Sequence, residues 1–151
     1  MKMSQTVWIA VFILDGYTTG CSTASTSTET MQSASLYQRL GEKAAITAVV
    51  DGFVARVAAD TRINGRFANA NIPRLKTNLV DQICAASGGP CIYTGRDMRT
   101  AHAGMAISNA DFDALVGDLV ATLNKFKVPD REKNELLSVL GPMRKDIVEK
   151  P

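Results

Sequence analysis

From Leu36 onward, apolar residues recur at three- and four-residue spacings, the period of helices that bury one face. Residues 36–40 make a short turn of helix closed by Gly41. Residues 43–58 carry Ala45, Ile46, Val49, Val50, Phe53, Val54 and Val57 on a wide apolar face, which predicts a core helix. Ile72-Pro73-Arg74-Leu75 opens another helix, running to about residue 86, because proline is tolerated in a first turn and Gly88-Gly89-Pro90 cannot continue it. Its apolar positions, Ile72, Leu75, Leu79 and Ile83, share one face. Ser108 and Asp111 form a capping arrangement ahead of Phe112, Leu115, Val116, Leu119, Val120 and Leu123, the longest clean amphipathic run. Asp130 and Glu132 favour the start of a last helix through its dipole, and Leu136, Leu137, Leu140, Met143 and Ile147 give that helix its buried side. No internal repeat interrupts the series.

Composition supports an all-α chain. Of 151 residues, 46% are hydrophobic but only 6% aromatic, with Ala, Leu and Val supplying most of the apolar content, which favours a helical core over a sandwich. The length fits one domain, and a net charge of +2 is too nearly neutral to point to nucleic acid.

The first 35 residues read differently. Lys2 precedes the apolar stretch 7–14, and Thr18-Thr19-Gly20-Cys21 follows it. This resembles a secretory signal, too short for a membrane span, and Cys21 after Gly20 resembles a bacterial lipobox. Asp15 within the apolar region and Thr18 where leucine is usual depart from that pattern. The expected organisation is a signal or lipobox-like segment over 1–21, a disordered Ser/Thr tether over 22–35, and a folded domain over 36–151. Export to the periplasm follows, free or anchored through lipid at Cys21; the alternative is a cytoplasmic protein with a disordered tail. No other membrane contact is expected.

Cys84 and Cys91 flank the Gly-Gly turn. In an exported protein they could close a local disulfide; in the cytosol they would stay reduced, Cys84 as an ordinary buried residue. Paired CxxC spacing of the zinc-site kind is missing, and so is a Ser/His/Asp or Cys/His arrangement for nucleophilic catalysis. His102 is the one histidine, so any chemistry that needs an imidazole must use it. Taken alone, it would read as a hydrogen-bonded structural residue.

Its surroundings say more. Leu36-Tyr37-Gln38-Arg39-Leu40-Gly41, Ala44-Ala45-Ile46, Val49-Val50-Asp51-Gly52-Phe53, Arg66-Phe67, Arg74-Leu75-Lys76, Gly88-Gly89-Pro90, Tyr93-Thr94-Gly95, Met98 and His102-Ala103-Gly104, in that order, resemble a group I truncated haemoglobin of bacterial type. The resemblance covers about residues 36–148. It implies a two-over-two helical sandwich around haem b, held noncovalently because the chain has no CxxCH. On this resemblance His102 is the proximal ligand of the haem iron, with the small Ala103-Gly104 pair letting its short helix approach a flat macrocycle. Phe67 and Phe53 would pack on the distal side, and Met98 and Ile107 would wall the proximal pocket. Tyr93, Arg99 and Lys76 are candidates for the haem propionates, with solvated surface charge as the other reading of Arg99 and Lys76.

The distal positions depart from the best-known pattern. Many relatives carry a tyrosine directly after the residue matched by Phe53 and a glutamine at the position of Leu79; here those residues are Val54 and Leu79, and Leu75 is apolar too. Without a donor, dioxygen should leave faster. Gln82, and more weakly Asn78, are candidate substitute donors. The resemblance thus implies a mainly five-coordinate ferrous haem that reversibly binds carbon monoxide, nitric oxide and, less strongly, dioxygen. Three alternatives stay open: a nitric-oxide-converting or peroxidatic haem enzyme, an electron-transfer haem protein, and a haem-free helical interaction module. Expected partners are a diatomic gas and a reductase, and a monomer is expected.

Overall fold

The computed structural model describes residues 34–150, and among them no strand occurs beyond an isolated bridge between Ser108 and Lys150. The segment 1–21, Cys21 and most of the tether lie outside the described residues. Among the described residues seven helices follow one another: α1 Leu36–Arg39, α2 Glu42–Ala59, α3 Ile72–Ala86, α4 Met98–His102, α5 Asn109–Lys125, α6 Asp130–Leu140 and α7 Arg144–Ile147. Tighter 3-10 turns, Asn64–Phe67 and Gly141–Met143, lead into α3 and α7.

Ser35, expected at the end of the tether, belongs to the fold. Its hydroxyl accepts the Gln38 amide N–H at 3.3 Å while its own N–H donates to Gln38 Oε1 at 3.0 Å, a reciprocal cap on α1. The Arg39 guanidinium, nearly buried, reaches back to the Ala34 carbonyl at 2.8 Å and across to Glu132 at 3.0 Å and Glu135. That ties residues 34–39 to α6.

The two long faces read from the sequence meet in the centre. Helix α2 buries Ile46, Val50, Phe53, Val54 and Val57 and packs against both α3 and α5. Val50, Leu123 and Leu136 are among the deepest side chains, each at most 2% exposed. Helix α3 begins at Asn71, whose side chain accepts the Arg74 N–H at 3.0 Å, and stops where Gly88 turns left-handed at φ +83°. Ser108 and Asp111 cap α5 reciprocally, as the sequence predicted.

The last helix differs from expectation. Leu136 to Ile147 were read as one face, but the helix ends at Leu140 and restarts at Arg144. The reason is Pro142, which has no N–H to donate and crowds the carbonyl one turn back. The break turns α7 against α4, the short helix that carries His102.

Candidate functional site

A cavity of about 660 Å³ opens between α2, α3, α4 and α5 and reaches Met143 and Ile147 at the far end of the chain. Phe53 enters it from α2, Phe67 from the first 3-10 turn, Leu75, Asn78, Leu79 and Gln82 from α3, Tyr93 and Arg96 from the loop, and Met98 and His102 from α4. The volume is that of a small-molecule or cofactor site.

Helix α4 is only five residues long and owes its start to Asp97, whose carboxylate accepts the Thr100 N–H at 2.9 Å. The Thr100 hydrogen bonds hold the Asp97 carboxyl below its ordinary range. One turn later His102 Nδ1 lies 2.8 Å from the Met98 carbonyl oxygen. A carbonyl can only accept, so Nδ1 carries the proton and Nε2 keeps its lone pair. This is the arrangement in which a histidine is oriented to ligate a metal through Nε2. One imidazole is not enough to hold a free ion, and no cluster of three His, Cys, Asp or Glu occurs among the described residues. A metal bound here must bring most of its own ligands.

The polar groups of the cavity divide into committed and uncommitted ones. Gln82 directs its amide nitrogen at two thioethers, Met143 Sδ at 3.2 Å and Met98 Sδ at 3.4 Å; sulfur accepts only weakly, so the amide is lightly held. The Tyr93 hydroxyl donates to the Arg96 carbonyl at 2.7 Å, and burial pushes its pKa up. That fold-back needs Gly95, where an added Cβ would lie 2.4 Å from the tyrosine oxygen. Arg66 is fully engaged with the Met105 carbonyl at 2.6 Å, the Ala106 carbonyl and Asp111 at 3.0 Å. Arg74 and Arg96 line the cavity, and among the described residues neither guanidinium has a hydrogen-bond partner. They are two free cations beside an apolar slot, suited to carboxylates on a bound molecule.

Four of the residues singled out from the sequence stand elsewhere. Val54 points into the core and does not line the cavity. Lys76 is paired with Asp51 across α2 and α3 at 2.8 Å, and Arg99, 79% exposed, is paired with Asp146 at 2.9 Å. Ile107 lines a smaller hollow of about 60 Å³ that shares His102, Phe67 and Met105 with the main cavity. Conversely, sequence reasoning passed over Arg74, although it stands inside the quoted Arg74-Leu75-Lys76 motif, and Arg96, whose loop has no periodicity to mark it. Cys84 and Cys91 are joined in a disulfide that pins the end of α3 to the loop bearing Tyr93 and Arg96.

Comparison with known proteins places this geometry. A family model described as bacterial-like globin matches residues 35–149. The chain is 37% identical over 114 residues to the group 1 truncated hemoglobin GlbN of Mycolicibacterium paratuberculosis, covering 76% of this chain and 84% of that protein. It is 36% identical over 115 residues to the group 1 truncated hemoglobin of Tetrahymena pyriformis, covering 76% of this chain and 95% of that one. Among solved structures, the Fe(III) form of truncated hemoglobin from Tetrahymena pyriformis superposes with a TM-score of 0.74 at 35% identity, over 78% of this chain and 100% of that chain. The 2/2 hemoglobin of Synechococcus, in the cyanomet state with covalently attached heme, gives 0.73 at 32% identity over 78% and 100%.

Proposed function

Because the chain belongs to the bacterial-like globin family, as a group I truncated globin with a two-over-two helical fold and haem as its cofactor, we propose that it reversibly binds diatomic gases in an apolar distal pocket. The residues present fit the cofactor. The cavity is largely apolar and several hundred cubic ångströms in volume, one imidazole nitrogen is free to ligate, and Arg74 and Arg96 stand beside it with no hydrogen-bond partner among the described residues. When bound, haem would supply an iron that His102 would hold and that could take up a gas.

The roles of the side chains follow. His102 would offer Nε2 to the iron, and its Nδ1–H bond to Met98 fixes the ring. Phe53, Phe67, Leu75 and Leu79 exclude water and provide no hydrogen bond on the gas side. Arg74 and Arg96 pair with the propionates, a part first given to Arg99 and Lys76, while Tyr93 supports that edge by fixing the Arg96 backbone. Gas selectivity then rests on the scarcity of donors: carbon monoxide and nitric oxide lose little without one, whereas dioxygen loses a charge-assisted hydrogen bond.

The observation that carries the reading is the 2.8 Å contact of His102 Nδ1 with the Met98 carbonyl oxygen, which leaves Nε2, on a side chain that lines the cavity, for ligation. Its test is an absorption spectrum of the ferric, ferrous and carbon-monoxide forms of the wild type and of His102→Gly. A five-coordinate ferrous spectrum with a sharp carbon-monoxide Soret band, lost in the variant, is expected; an unchanged variant spectrum would overturn the assignment.

The disulfide supports an exported protein, since such bonds persist in oxidising compartments. Fractionation of cells with and without Cys21→Ala tests that location: the protein is expected in the periplasmic or membrane fraction, and a purely cytosolic one would refute it.

A further inference from the structure

The loop that leaves His102 runs through two left-handed residues, Gly104 at φ +77° and Ala106 at φ +54°. Glycine adopts that conformation freely; alanine does not, so residue 106 is held against its own preference. Glu149, from the far end of the chain, does the holding. One carboxylate oxygen accepts the Gly104 N–H at 2.7 Å and the other the Ala106 N–H at 2.6 Å. The backbone repeats the clasp: the N–H groups of Glu149 and Lys150 donate to the Ile107 carbonyl at 2.9 and 3.0 Å, and the Asn109 N–H donates to Lys150 O at 3.2 Å. From the other side Arg66 binds the carbonyls of Met105 and Ala106.

We propose that Glu149 is a positioning residue for His102, fixing the exit of the short proximal helix and setting a negative charge beside the imidazole. The carboxylate takes two N–H groups within four residues of the ring, so a shift of the loop and a tilt of the ring are one motion. Those N–H bonds hold the Glu149 carboxyl below its ordinary range, so it stays ionised at neutral pH. An anion held on the loop that leaves the ligand would favour the more positive, ferric iron over the ferrous one. The inference rests on His102 being the iron ligand.

Glu149→Ala and Glu149→Gln of the haem-loaded, full-length protein separate the two effects. With alanine both N–H bonds go; haem transfer to an excess of an acceptor globin should quicken about tenfold, the equivalent of one charge-assisted hydrogen bond, and the iron–histidine stretching band should shift. With glutamine one acceptor oxygen stays, the charge goes, and the NH2 cannot accept the second N–H; transfer should quicken less than with alanine while the midpoint potential moves upward. Helical circular dichroism checks that each variant folds, and should alanine not fold, the potential of the glutamine variant decides. Wild-type transfer, stretching band and potential in folded variants would overturn the proposal. His102→Gly serves as the reference: if it keeps the wild-type ferrous spectrum, the ligand assignment has failed; if it loses that spectrum while both Glu149 variants behave as wild type, only the clasp has failed.

Discussion

Replacing Cys91 with serine removes the one covalent tie between α3 and the cavity loop. The ring it closes spans a sequence separation of 7 residues. On the chain-entropy model a loop of that length removes about 8 cal/mol/K from the unfolded state, or about 2.4 kcal/mol at 25 °C. Serine is the conservative choice at position 91, which is partly exposed, whereas Cys84 is completely buried and would leave a polar hydroxyl in the core. For a domain of this size the loss corresponds to a fall of about 10 °C in the melting temperature, or roughly 1–2 M in the urea midpoint. The assay compares wild type and Cys91→Ser at equal haem saturation, because bound ligand adds to apparent stability. A reductant should lower the wild type to the level of the variant and leave the variant where it is. Coincident curves without reductant, or an equal drop in both proteins with it, would refute the reasoning.

Asp118 is 6% exposed, its Oδ2 has no hydrogen-bond partner, and burial together with the Asp60 charge raises its pKa, with Arg56 and Arg62 opposing. A raised folded-state pKa means that the group's contribution is intact in acid and is lost as pH rises through that pKa. Asp118→Asn should therefore stabilise the protein by about 1 kcal/mol at pH 7 and by nothing near pH 4, read by melting at both; an equal gain at both would sink this account. Asp60, held at about 2 by its hydrogen-bonded Arg62 guanidinium, acts in the opposite sense. Its contribution is complete above the ordinary carboxylate value of 3.8 and fades as pH falls towards 2, so Asp60→Asn should flatten the acid limb of the stability curve, and an unchanged limb would count against it. Leu79→Gln adds a donor to the cavity wall and should slow dioxygen dissociation about tenfold, measured by displacement with carbon monoxide; an unchanged rate would place position 79 away from the gas.

Much of the architecture was legible because burial imposes a period on the sequence. The stripe over α2, the Ser108 cap and the Gly88 stop are local signals that the helices obey, while on α3 Ile72, expected on the buried face, is exposed because it stands in the first turn at the end of the helix. The break at Pro142 was equally local, but the apolar spacing from Leu136 to Ile147 ran across it. Side-chain direction was harder to read. Val54 sits on the same broad stripe as Phe53, and only the packing of three helices decides that one faces the core and the other the cavity. Charged groups were least legible, since whether Lys76 and Arg99 or Arg74 and Arg96 are left free depends on where Asp51 and Asp146 come to lie. The Glu149 clasp joins residues more than forty positions apart and leaves no periodic trace.

A chain with one histidine carries its own spectroscopic label. Nitrogen-15 introduced through histidine alone gives two ring signals, and the bond from Nδ1 to Met98 assigns them in advance: a protonated, pyrrole-like Nδ1 and an unprotonated, pyridine-like Nε2. Of the two, the Nε2 resonance takes the larger shift when a metal binds there. Following that single line through a haem titration by nuclear magnetic resonance, with carbon monoxide keeping the iron diamagnetic, would read loading, ligation and tautomer together, with no second imidazole to subtract.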